Sequence, residues 1–178
     1  ASGSSATILI HNHHLSFWNI TKDDLYALAC KNTPDLQHYE LRNMSDVLKE
    51  LLSDDDSSAI LAPPAPFPMY VLSNRTKLNG SACILYQDLL KNFAERLRSD
   101  LYILPSSIHE VLIIPVNSFT SPADPLLSSA NSPADTRQQS YRELSEMVQE
   151  VNATQLSTED ILSDHVYYYS RESSRITM

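Results

Sequence analysis

The sequence predicts an α+β fold, with a mixed or largely antiparallel sheet packed against three to four amphipathic helices. Three observations carry this expectation. Short β-branched and apolar runs recur, among them "MYVLS", "LYILP" and "EVLIIPV". Segments with helical apolar spacing separate them, above all Leu89, Leu90, Phe93, Ala94 and Leu97. The two kinds of segment follow one another without a regular strand–helix–strand rhythm, which argues against a wound parallel sheet. A chain of 178 residues, 42% hydrophobic and 20% charged, has material for one core. The expected domain covers residues 7–170, with 1–6 as a disordered leader and 171–178 as a tail. Because position 1 is Ala and not Met, the chain reads as a fragment of a longer one.

Element by element, "TILIH" (7–11) reads as a buried strand, followed by "LSFW", in which Leu15 and Phe17 alternate before Trp18. Thr21, with Asp24 three residues later, is an N-cap with an acidic first turn. It opens a helix over 22–32 that turns Leu25, Leu28 and Ala29 inward and stops at Pro34. The link "HYELR" leads to a helix started by Ser45, with Val47, Leu48, Leu51 and Leu52 as its stripe. The acidic run Asp54 to Asp56 would sit at the wrong end of that helix's dipole and is placed in a loop. "AILA" (59–62) is a further short strand.

"MYVLS", "NRTKLNG" and "SACILY" read as strand, turn and returning strand of a hairpin. A helix over 87–98 follows. "LYILP" and "EVLIIPV" are two strands joined tightly through "SSIH". Residues 118–135, with three prolines, form a loop excursion and not a linker, since patterned sequence resumes beyond them. A helix over 136–151 carries Tyr141, Leu144, Met147, Val148 and Val151 on one side. "STED" could start a further helical turn, and "HVYYYS" closes the chain as a β-rich strand.

Composition excludes several functions. The net charge of −9 disfavours nucleic acid and anionic membrane surfaces as partners, and no run approaches the ~18 apolar residues of a membrane span. With only Gly3 and Gly80, the chain lacks the clustered glycines of a phosphate-binding loop, and no cofactor is expected. Cys30 and Cys83 read as free thiols of a reducing cytosol, with a disulfide between them as the alternative. Asn-X-Ser/Thr triplets at Asn19, Asn43, Asn74, Asn79 and Asn152 offer a secreted glycoprotein as counter-reading, but a chain rich in Ser and Thr generates such triplets readily.

Residues 104–115, "LPSSIHEVLIIP", hold the parts of a hydrolase: Ser107, His109 and Glu110. On a strand, Ser107 and His109 would share a face ~7 Å apart, too far for a nucleophile–base hydrogen bond, and Glu110 would face away. The structural reading is a turn over Pro105, Ser106 and Ser107 whose hydroxyls bond the backbone. The zinc-protease pattern fails as well, because Ile113 stands where the second histidine is needed. In "HNHH", His11 and His13 are the candidate metal ligands, and they would need further ligands supplied by the fold. The run Asp54 to Asp56 lacks the glycine turn and the closing glutamate of a calcium loop.

The succession "ILIHNHHLSFWNITKDDLYALACKNTP", "MYVLSNRTKLNGSACILYQDLLKNFAERLRSDLYILPSSIHEVLIIP" and "LSDHVYYYS" resembles an uncharacterised family from anaerobic, often gut-dwelling Firmicutes, a domain of unknown function. The likeness covers most of the chain, and "LPSSIHEVLIIP" is its most specific stretch. It implies a cytoplasmic, single α+β domain and supplies no reaction or catalytic residue. It marks Asn74, Gly80 and the "PSSIHE" turn as motif positions, read here as structural: Gly80 for a positive φ, Asn74 for a side-chain-bonded turn, Pro105 for a rigid one.

The functional expectation is therefore a non-enzymatic, cytoplasmic accessory module that acts through a protein partner. The alternative is a hydrolase or metal-assisted enzyme around Ser107, His109 and Glu110, with Asn74 and Tyr86 as binding neighbours.

Overall fold

The computed structural model describes residues 8–53, 67–105, 107–119 and 133–178. The expected leader, the run Asp54 to Asp56, the "AILA" strand and most of the 118–135 excursion lie outside them. The helices are α1 (Asn12–Trp18), α2 (Lys22–Leu36), α3 (Met44–Ser53), α4 (Leu89–Leu97) and α5 (Pro133–Gln155). The strands are β1 (Tyr39–Asn43), β2 (Tyr70–Asn74), β3 (Leu101–Leu104), β4 (Val111–Pro115), β5 (Tyr167–Ser170) and β6 (Arg175–Thr177). They form one sheet in the order β1-β2-β4-β3-β5-β6, and every neighbouring pair is antiparallel. The α+β expectation holds.

The sheet centre is buried on both faces. Successive side chains on a strand point to opposite faces, so β3 sends Leu101 and Ile103 one way and Tyr102 and Leu104 the other. Leu101, Ile103, Val111 and Ile113 pack with Leu89, Leu90, Phe93 and Ala94 of α4. On the opposite face Tyr102, Leu104 and Ile114 pack with Leu144 and Val148 of α5 and with Val166. Each such fully buried Leu or Ile contributes roughly 1.5–3 kcal/mol. The result is a helix–sheet–helix sandwich that needs apolar residues at every central position, which explains the unbroken "LYIL" and "VLIIP" runs.

Several elements differ from the sequence expectation. Ile8, Leu9 and Ile10 are 82, 76 and 47% exposed and form no strand. The chain instead turns at His11, whose backbone N–H donates to His14 Nδ1 at 2.9 Å, and enters α1. Helix α2 begins at the expected cap, with the Asp24 N–H donating to Thr21 Oγ1 at 3.1 Å and the Thr21 N–H to Asp24 Oδ2 at 3.0 Å. It does not stop at Pro34 but runs to Leu36. Proline removes one N–H from the ladder, and because α2 has no buried residue the carbonyl it leaves is not shut away from solvent. Leu28 is 50% exposed and not inward.

"HYELR" is no link but the edge strand β1, and residues 171–178 are no tail, since β6 pairs there with β5. "SACILY" is no strand either. Residues Gly80–Leu85 form a 3-10 helix, because Ser81 turns both its N–H (3.2 Å) and its hydroxyl (2.6 Å) onto the Ile108 carbonyl instead of a strand ladder.

Candidate functional site

The hairpin connection between β3 and β4 carries Ser107, His109 and Glu110, and the structure does not assemble them into a triad. Ser107 is buried, and its Oγ accepts the N–H of His109 at 3.0 Å and that of Glu110 at 3.3 Å. The Ser107 N–H in turn donates to the Glu110 carbonyl at 3.4 Å. The serine hydroxyl therefore closes its own turn, the structural use that its place after Pro105 and Ser106 suggests. The segment is a bend, not extended strand, so the strand-face argument against the triad is replaced by a direct one.

His109 is equally engaged. Its Nδ1 accepts the Asn79 N–H at 3.1 Å, and its Nε2 lies 3.5 Å from Asp160 Oδ1. In the neutral ring this hydrogen bond assigns the proton to Nε2, facing the carboxylate. A general base needs a free lone pair aimed at a nucleophile, and here the lone pair holds a loop. The Glu110 carboxylate makes no ion pair or hydrogen bond among the described residues.

Around this turn the chain is stitched to the "SNRTKLNGS" loop. The Ser73 hydroxyl donates to the His109 carbonyl at 2.8 Å, and the Ile108 N–H donates to the Asp160 carbonyl at 2.9 Å. Asn74, 3% exposed, donates from Nδ2 to the Leu78 carbonyl at 2.8 Å and accepts at Oδ1 from Thr76 Oγ1 at 2.9 Å. Its turn-holding role matches the sequence reading. Gly80 does not: its φ is not positive. Glycine is required there by contact, since an added Cβ would meet Ser73 Oγ at 2.2 Å, the His109 carbonyl oxygen at 2.5 Å and the Asn74 nitrogen at 2.6 Å. Asn74, Gly80 and the "PSSIHE" turn thus converge on one clamp between two loops.

Asp160, Ser73 and Ser81 were not among the sequence candidates. The "STED" spacing hints at Asp160, because Ser157 Oγ donates to Asp160 Oδ2 at 2.7 Å. Nothing local points to its partnership with His109.

Tyr86 is directed away from the clamp. Its hydroxyl donates to the Gln37 carbonyl at 2.6 Å, tying the end of α2 to the body. Burial, then a hydrogen bond with Cys83, pushes the Tyr86 phenol up to about 12. His11 and His13 sit at the start of α1 with their rings stacked at 5.6 Å. Among the described residues, no group of three or more His, Cys, Asp or Glu side chains is placed to hold a metal. Cys30 and Cys83 are both free, the first exposed and the second buried. Asn74 and Asn152, two of the glycosylation triplets, are buried and bonded within the fold.

The larger feature lies elsewhere. Between α2 and the 3-10 helix and α4 runs an open groove of about 1100 Å³. One wall is the α2 stripe Ala27, Cys30, Lys31 and Pro34, at helical i, i+3, i+4, i+7 spacing; the other includes Arg75, Leu85, Tyr86 and Asn92. Neither α1 nor α2 buries a residue. Beside the Tyr86 bond, α2 is held at its end by the Arg75 N–H donating to the His38 carbonyl at 3.1 Å.

The model of a family of unknown function (DUF5688) matches residues 1–125 and 133–171. No curated protein and no solved structure matches the chain.

Proposed function

The chain belongs to the family of unknown function DUF5688, and from that premise we propose that it is a non-enzymatic accessory module that docks a protein partner on its amino-terminal helices. One observation carries this reading. Phe17, Leu36, Tyr26, Leu28 and Trp18 are 86, 77, 58, 50 and 47% exposed on helices that bury nothing. Exposed aromatic and large aliphatic side chains are the anchors that protein interfaces use. The engagement of Ser107 Oγ and His109 Nδ1 by backbone N–H groups supports a binding role over a hydrolytic one. Two unpaired cysteines fit a reducing compartment, so a bacterial cytoplasm, as in the Firmicutes family the sequence resembles, is the proposed setting. No helix among the described residues is long and apolar enough to cross a membrane.

The test is affinity capture from the native lysate with wild type and a Phe17→Asp/Leu28→Asp variant, followed by reconstitution with the purified partner. Both positions are exposed, so the variant should keep its thermal midpoint. A partner that binds wild type directly and loses the variant supports the module. Identical binding to both proteins, or turnover of an ester or phosphoester substrate abolished by Ser107→Ala, contradicts it.

A further inference from the structure

We propose that the groove between α2 and α4 binds an acidic peptide that carries an apolar residue next to its carboxylates. The inference rests on the reading of the chain as a protein-docking module and assigns that module a ligand chemistry.

Charge carries the first half of the argument. The chain has 22 acidic against 13 basic residues, yet none of the described residues lining the groove is Asp or Glu. Lys31 of α2 and Arg75 of the loop after β2 both line it, and so does His38. Neither Lys31 nor Arg75 has an ion-pair partner among the described residues, in contrast to Arg42, Lys49 and Arg171. Two unpaired cations in a carboxylate-free groove make a local positive window on an acidic protein. At physiological ionic strength the screening length is about 8 Å, so the remote negative charge does not cancel this window for a ligand lying in it.

Size and lining carry the second half. The volume of about 1100 Å³ exceeds the 300–1,000 Å³ usual for small-molecule pockets, which leaves room for several residues of a peptide. Ala27, Pro34, Leu85 and Leu89 supply apolar contact, while Asn92 and Gln87 offer amide donors and acceptors. A small inorganic anion would leave the apolar walls wet. A purely apolar helix would leave both cations desolvated and unpaired, which is costly. An acidic peptide with an interleaved Leu or Phe satisfies both walls.

The experiment measures fluorescence anisotropy of the full chain with a fluorescein-labelled peptide alternating Glu and Leu, beside a Lys/Leu counterpart and with inorganic phosphate as competitor. Lys31→Glu and Arg75→Glu are the test variants; both positions are exposed, and circular dichroism verifies that each folds. Saturable binding of the acidic peptide, weakened at least about tenfold by either reversal while the Lys/Leu peptide is not weakened by them, supports the assignment. Absence of saturable binding, binding by both variants as tight as by wild type, or full displacement by millimolar phosphate overturns it. Failure here, with Phe17-dependent partner binding intact, would remove the groove ligand and leave the docking surface. Loss of both would remove the module reading itself.

Discussion

A Cβ on Gly80 would stand 2.5 Å from the carbonyl oxygen of His109. These two residues lie far apart in the chain, and their contact presses the "NGS" and "PSSIHE" segments backbone to backbone. Gly80→Ala should destabilise the fold by about 2–3 kcal/mol, the cost of forcing packed backbone apart. Urea denaturation measures it; a change below a few tenths of a kcal/mol would show that the loops do not touch.

His109→Ala removes the acceptor of the Asn79 N–H. Because Asn79 is exposed, water takes over much of that bond, and the loss should be about 1 kcal/mol. Asp160→Asn should cost less, since the pair is partly exposed and salt-screened. Both variants should bind partners of the helical arm as wild type does.

The Asp100 carboxylate accepts the Tyr168 hydroxyl at 2.5 Å and the Arg171 N–H at 2.9 Å. Burial pushes its pKa up, but these bonds and the guanidiniums of Arg171 and Arg137 outweigh burial and hold it below the ordinary value. A depressed folded-state pKa gives stability that is present above the unfolded carboxylate pKa, about 3.9, and lost as pH falls through the folded value. Burial, then the Asp100 bond, raises Tyr168 to about 12; that contribution is full below about 10 and lost as pH rises through about 12. Tyr168→Phe should therefore be less stable than wild type at neutral pH, with the gap closing below about pH 4. Thermal midpoints across pH give the answer; a constant gap would deny the linkage.

Cys30 is exposed, whereas Cys83 is 1% exposed and burial pushes its thiol up. A thiol reagent should modify Cys30 in the native protein and reach Cys83 only on unfolding. Mass spectrometry with and without urea distinguishes this from two equally reactive sites.

The strongly patterned parts of the fold were legible. Helix α4 shows its full apolar face in the sequence, and β3 and β4 are short apolar runs between a turn and Pro115. "SACILY" misleads because six apolar-leaning residues fit a strand or a tight helix alike, and only the long-range bonds from Ser81 to Ile108 decide. "TILIH" misleads because a β-branched run fits a strand by pattern alone, and Ile8, Leu9 and Ile10 pair with no strand of the described sheet. At the clamp, Ser107 and Asn74 were readable since each bonds its own turn. The Gly80 contact, the Asp160 partner of His109 and the Lys31–Arg75 groove are made by residues far apart in the chain, which local spacing does not encode.

The hydrogen bonds of Ser73, Ser107 and His109 make the "PSSIHE" turn a clamp between two loops. Long-range ¹H–¹⁵N spectra of the His109 imidazole, read together with hydrogen exchange of the Asn79 amide, report on this clamp. The clamp predicts a neutral ring protonated on Nε2, an unprotonated Nδ1 and an Asn79 amide that exchanges slowly. A ring protonated on Nδ1, with Nε2 free and the Asn79 amide exchanging at the rate of an open loop, would contradict it.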